Sequence, residues 1–210
     1  TNNGAQVYFI EAHNIPMIDI RMVFNAGSAK DKISGVAALA NGLLDTGAAD
    51  LDANGIAEAL EDVGAQMSNA SLRDMAVLSL RSLSDASRLA PALSVFTKVL
   101  SKPTYPKADF TREKKRLLLG LQSEKQQPAA VGQRAYFQAL YGEHPYADMP
   151  SGTEESVARI QRIHLRRFHQ TYYVAKNAVV AIVGDLSRQR AMQVAEQLSS
   201  AIPAGEAAPV

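Results

Sequence analysis

The chain has 210 residues, 22 Lys and Arg against 21 Asp and Glu, and neither Cys nor Trp. At 47% hydrophobic and 20% charged it can bury a core, and its length allows one large domain or two small ones. Without Cys there are no disulfides, thiolate metal sites or Cys nucleophile; a net charge of +1 gives no basic footprint for nucleic acid, and no apolar run reaches the ~18 residues of a membrane helix.

Residues 7–10 (Val-Tyr-Phe-Ile) read as a strand, broken at Asn14-Ile15-Pro16. Residues 17–24 alternate, with Ile18, Ile20, Met22 and Phe24 on one face and Asp19 and Arg21 on the other. That pattern predicts a half-buried antiparallel pair, turned at Ala26-Gly27-Ser28. Ser34 is placed to cap a helix over 35–46, stopped by Gly47, and Asp52 to cap a second one ending at Gly64. Residues 65–71 and 76–83 read as two strands joined near Arg73-Asp74. Leu89, Leu93, Phe96 and Leu100 mark a third helix ended by Pro103 and Pro106. Two more helices are predicted over 110–125 and 129–140, then a loop over 142–152 and a helix, in one or two pieces, over 154–173. The apolar run 178–183 reads as a central strand, and 188–201 as a last amphipathic helix. Strand runs followed by helix runs predict an α+β fold, a mainly antiparallel sheet with helices on one face. The tail 203–210 reads as a linker, leaving residues 1–202 as one domain.

Residue chemistry alone gives no catalytic constellation. The four His (His13, His144, His164 and His169) form neither HxxxH nor HxxEH. His164 and His169 are five apart, so their side chains diverge on a helix and read as surface or capping residues. His144, before Pro145, reads as structural. Glu113-Lys-Lys-Arg116 reads as a solvated charged face.

One resemblance carries more. Ala26-Gly27-Ser28 precedes Gly35-Val-Ala37-Ala38-Leu39-Ala40-Asn41-Gly42, with Gly47 beyond. Gly142-Glu-His-Pro-Tyr146 is followed by Gly152-Thr-Glu-Glu-Ser-Val157, and Tyr173-x-x-x-Asn177 by Val179-Val-Ala-Ile-Val-Gly-Asp185. In this order and spacing the chain resembles the pitrilysin, insulinase and mitochondrial-processing-peptidase family of zinc peptidases, over almost its whole length. The resemblance implies the α+β metallohydrolase fold shared by LuxS and the mitochondrial processing peptidases.

The family's helix reads G-x-A-H-x-x-E-H. Ala38 and Gly42 stand at its two zinc His, Asn41 at its general-base Glu, and Gly120 at the third ligand, seven residues after Glu113. The resemblance therefore implies no catalytic residue and no zinc cofactor in this chain. A carboxamide takes no proton from water, and no metal is held to activate one. The family's substrate strand corresponds to Ser68, Asn69, Ala70 and Ser71, expected to bind an extended peptide. The family is built from duplicated domains, and its bacterial members often pair a zinc-motif subunit with a zinc-less one. This implies the first domain of a zinc-less subunit, partnered by a paralogous zinc-motif subunit, by its own second domain and by peptide substrate, with no nucleic acid and no membrane span. The opening stretch is most like exported Gram-negative members, so the periplasm is expected. Two other readings stand beside this one: a peptide- or partner-binding scaffold without proteolysis, and a protease active through another site.

Overall fold

The computed structural model describes residues 1–209. Its main sheet has the order β1-β7-β2-β6-β5, built from β1 (Gln6–Glu11), β2 (Met17–Phe24), β5 (Gln66–Ser71), β6 (Ala76–Leu83) and β7 (Ala178–Gly184). Two short strands, β3 (Gly47–Ala48) and β4 (Leu51–Asp52), form a separate hairpin. The helices are α1 (Val36–Gly42), α2 (Ala53–Glu61), α3 (Ala86–Ser101), α4 (Lys107–Glu124), α5 (Pro128–Tyr141), α6 (Glu154–Arg159), α7 (Arg162–Tyr172) and α8 (Arg188–Ser200). The fold is the expected α+β arrangement.

Alternation decides which face of the sheet is buried. Ile18, Ile20, Met22 and Phe24 of β2 and Leu78 and Leu80 of β6 point into the helix layer, where they meet Leu43, Leu93 and Phe96. The opposite face carries Arg81, which grips Asp19 with bonds of 2.8 and 3.0 Å. Both groups are about half exposed, so the pair contributes little to stability.

Two expectations are corrected. β1 and β2 do not pair: β7 lies between them, parallel to β1 and antiparallel to β2. The run 178–184 is apolar enough to be an interior strand, and its insertion satisfies both edges of β7. The second correction concerns the cap of α1. Ser34 turns its hydroxyl to Asp148. Asp31 takes over instead, its two carboxylate oxygens accepting from the Gly35 and Ala37 amides, each at 2.8 Å. The helix is also shorter than 35–46. It ends at Gly42, and a 3₁₀ turn (Leu44–Thr46) follows, in which the Thr46 hydroxyl donates to the Leu43 carbonyl at 2.8 Å.

Burial raises the Asp31 carboxyl to about 7 against an ordinary 3.8, although the backbone amides pull the other way. The native state then holds this proton between about pH 4 and 7 while the unfolded chain releases it. The Asp31 contribution to stability is therefore full below about pH 4 and is lost as pH rises towards 7, at up to ~1.4 kcal/mol per pH unit. Urea midpoints of the wild type should fall from pH 5 to pH 7.5 more steeply than those of Asp31→Asn. Parallel pH profiles would refute this.

The segment 203–209 lies along the body. The carbonyls of Pro203 and Ala204 accept from the Ala175 and Lys176 amides, and the Ala208 amide donates to the Asn177 side chain at 3.1 Å.

Candidate functional site

α1 and α4 face each other across a cleft. Ala38 and Gly42, one turn apart, share the same face of α1, and Glu113 and Gly120, two turns apart, share the opposing face of α4. Between them is a cavity of about 320 Å³, also lined by Leu39, Leu43, Leu117 and Arg116. Ala38, Gly42 and Gly120, three positions that the sequence puts at one site, therefore do come together.

Asn41 does not join them. It is 1% exposed, and its Nδ2 donates to the Tyr173 hydroxyl at 3.2 Å. Tyr173 is buried too, stacked between Phe24 (4.8 Å) and His169 (4.7 Å). Burial pushes its hydroxyl well above the ordinary range. His169 is thus not a surface or capping residue. It sits in the core, donating from Nε2 to the Leu100 carbonyl at 2.9 Å, and burial pulls it down to about 4, so it is neutral at pH 7. His164 does cap: its Nδ1 accepts from the Gln161 amide at the start of α7. His144 is structural, accepting from the Tyr146 amide.

The 113–116 run is also more than a solvated face. Glu113 borders the cleft, bonded to Arg116 at 2.8 Å and to Arg112 at 3.5 Å. Lys114 reaches back to the Ala158 and Ile160 carbonyls at 2.7 and 2.8 Å.

A zinc site draws about three ligands from protein even when catalytic. Here the three ligand positions carry a methyl group and two hydrogens, and the one nearby acid from the family pattern, Glu113, is engaged by guanidinium groups. Among the described residues no three His, Asp or Glu side chains gather to hold a metal ion. The residues do not fit a zinc ion.

The two glycines have no packing reason. A Cβ built on Gly42 or Gly120 meets nothing within 4 Å. Gly120→Ala, inside α4, should therefore stabilise the chain by roughly 0.5–1 kcal/mol, and Gly42→Ala, at the end of α1, by less. Thermal melts would show this, and a loss of stability in Gly120→Ala would contradict the open geometry.

Beside α1 runs β5, one of the two edge strands of the sheet. The Leu72 amide donates to the Met75 carbonyl across the turn. Because bonded pairs alternate along an antiparallel ladder, Met67, Asn69 and Ser71 direct their amides and carbonyls away from β6, to the free edge. The same three residues are half-buried towards the helices, whereas Ser68 and Ala70 are exposed on the other face. The Ser71 hydroxyl is buried without a partner. The Asn69 side chain lies against the Asp45 carboxylate, and Asp45 also feels Glu113. Asp45 was not singled out in the sequence. It connects the strand edge to the cleft, and only the 3₁₀ turn after α1 brings it there.

The sequence model described as Insulinase (Peptidase family M16) matches residues 6–154. The chain belongs to the M16 peptidase family. A model described as Peptidase M16 inactive domain matches 159–210. The chain is 42% identical to a peptidase M16 inactive domain from Pseudomonas fluorescens, whose crystal structure superimposes with a TM-score of 0.98 over 100% of this chain and 51% of that one. It is 24% identical to the non-peptidase homolog YmxG of Helicobacter pylori, over 96% of this chain and 46% of the relative. The first half of the periplasmic protease PqqL of Escherichia coli shares the fold, with a TM-score of 0.86 at 20% identity, over 100% of this chain and 46% of that one. The chain spans about half the length of these proteins.

The M16 marks kept here have packing reasons. A Cβ on Gly27 of the Ala-Gly-Ser turn would run into the Arg73 and Asp74 backbone. Gly184, with φ of +136°, lies against Met17 and Ile18. These two glycines are fixed by the fold, whereas Gly42 and Gly120 are not.

Proposed function

We propose that this M16 domain belongs to a non-catalytic subunit of a proteolytic complex, in which it contributes peptide binding and partner assembly. The observation that carries this reading is a cleft emptied of every ligand side chain beside a strand edge whose backbone groups are still free. An extended peptide can add to such an edge as a further strand, through main-chain bonds that need no catalytic residue. Residues Ser68, Asn69, Ala70 and Ser71 form the binding strand. Residues 1–202 form the domain, and the tail from 203 leads to a second domain, a reading supported by the greater length of the relatives. The zinc chemistry comes from a paralogous subunit with an intact HxxEH. The periplasm is the proposed compartment, supported by the PqqL likeness; no helix among the described residues is long and apolar enough to cross a membrane.

The test is a peptidase assay of the full-length protein with and without the HxxEH-bearing partner. No hydrolysis is expected from the protein alone, and turnover is expected from the pair. Asn69→Pro removes one free-edge donor while leaving the ladder to β6 intact, so the folded variant should lower turnover of the pair. Full turnover with Asn69→Pro would make the domain a structural brace. Hydrolysis by the protein alone would overturn the non-catalytic reading.

A further inference from the structure

We infer that a second cavity, between the 3₁₀ turn Ser28–Lys30, the start of α1 and one face of α7, docks an acidic segment of a partner protein that carries an apolar anchor residue. The inference does not depend on strand addition at β5. Val36 lines this cavity and Ala38 lines the cleft, and side chains two positions apart on a helix point about 200° apart. The two sites therefore lie on different flanks of α1.

The floor is apolar. The cavity holds about 440 Å³, within the roughly 300–1,000 Å³ of ligand pockets. Ile33 and Val36 line it from the α1 side, and Phe168 and Tyr172 from α7, with their ring centroids 4.7 Å apart. The Tyr172 hydroxyl donates to the Lys30 carbonyl at 3.5 Å and ties the turn to the helix.

The rim is cationic. His164, Arg167 and Thr171 recur along α7 at three- and four-residue steps, on the face that also carries Phe168 and Tyr172. Lys30 and Lys32 join them from the turn, and no Asp or Glu lines the cavity. Among the described residues Lys30, Lys32 and Arg167 make no ion pair. Asp31, between the two lysines in sequence, spends both carboxylate oxygens on amides of α1. His164 accepts at Nδ1 from the Gln161 amide, which leaves Nε2 as the donor of the neutral ring.

This arrangement selects the occupant. Like charges gathered around one concavity repel each other, and an anion relieves that repulsion. The polar groups run along α7 from His164 to Thr171, roughly 10 Å at 1.5 Å per residue, and continue onto the turn. A single carboxylate or phosphate head reaches only part of such a rim. Several acids on one chain, with an apolar side chain among them, match both rim and floor. A main chain already fits beside the turn, where the Lys30 ammonium donates to the Pro209 carbonyl.

The experiment measures binding of fluorescent peptides to the full-length protein by anisotropy. The first probe is Ser-Glu-Glu-Leu-Glu-Ser; the second has every Glu replaced by Gln, and the third has Leu replaced by Ala. The first should bind about tenfold tighter than the Gln probe at about 20 mM salt, and the ratio should approach one at about 0.5 M as screening shortens the reach of the charges. It should bind severalfold tighter than the Ala probe at either salt. Lys32→Ser with Arg167→Ser, both exposed and outside any ion pair, should fold and bring the Glu/Gln ratio near one. Lys115→Ser with Arg188→Ser removes the same charge elsewhere and should leave the ratio unchanged. Thr171→Trp, from an exposed position on the lining, should fill the cavity and bring the Leu/Ala ratio near one. Equal binding of the Glu and Gln probes, or an equal loss in both double variants, overturns the inference. Equal binding of the Leu and Ala probes overturns the apolar anchor. Displacement of the probe by sodium octanoate as readily as by unlabelled acidic peptide overturns the peptide occupant and makes this a site for a single amphiphilic anion. Absence of binding by all three probes overturns the docking site as a whole.

Discussion

Asn41→Glu is expected to lose about 2–4 kcal/mol of stability at pH 8, as a buried amide gives way to a longer, charged group, and to gain no hydrolysis. It restores the residue type that the M16 pattern carries, but the side chain at 41 does not face the cleft. It is 1% exposed and bonded to Tyr173, which is stacked between two rings. A carboxylate there keeps at best the Tyr173 bond and must otherwise be charged among apolar groups. The cost should shrink with acid, since burial raises the carboxyl pKa and protonation removes the charge. Urea midpoints of variant and wild type should therefore converge towards pH 5 and diverge at pH 8. Equal midpoints at pH 8 would mean that residue 41 turns to solvent.

Gly184→Ala should cost about 2–6 kcal/mol, the sum of backbone strain and overpacking, each of roughly 1–3 kcal/mol. Gly184 has φ of +136°, and a methyl group there would press on the Met17 carbonyl and lie 2.8 Å from the Ile18 Cα. Those atoms cannot retreat, because the Met17 carbonyl accepts from Asp185 at 2.9 Å and the Gly184 carbonyl from Ala12 at 3.0 Å. For a chain of this length, each kcal/mol moves the melting temperature by about 2–4 °C, so a drop of at least ~4 °C is expected. An unchanged Tm would refute the close contact. Paired with Gly120→Ala, which should raise Tm, this separates a glycine that the fold requires from one that it does not.

Much of the architecture was legible because its signals are local. The alternation in 17–24 and 76–83 reports one buried face, and the spacing of Leu89, Leu93, Phe96 and Leu100 reports a helix. The insertion of β7 between β1 and β2 was not legible, since strand order is set by partners far apart in sequence and leaves no periodic trace. The Asp31 cap was missed because Ser34 stood nearer the expected start of the helix. His169 was misread because spacing says which way a side chain points on its helix, not what packs above it. At the site, the frame could be read from glycines and prolines that the backbone needs. The role of Asn41 could not, because the sequence sets it beside Gly42 while the helix turns it towards Tyr173.

The position of β7 also bears on how the domain is made. Among the described residues β1 pairs with no strand but β7, across more than 160 intervening positions. A growing chain that has not yet released 178–184 offers β1 no ladder and exposes the flank of β2 that β7 will cover. Closing so wide a loop is slow, since its entropy cost precedes the contacts that offset it. Within this domain β1 is thus among the last strands to be secured, and until then Val7, Phe9 and the uncovered side of β2 remain open to solvent.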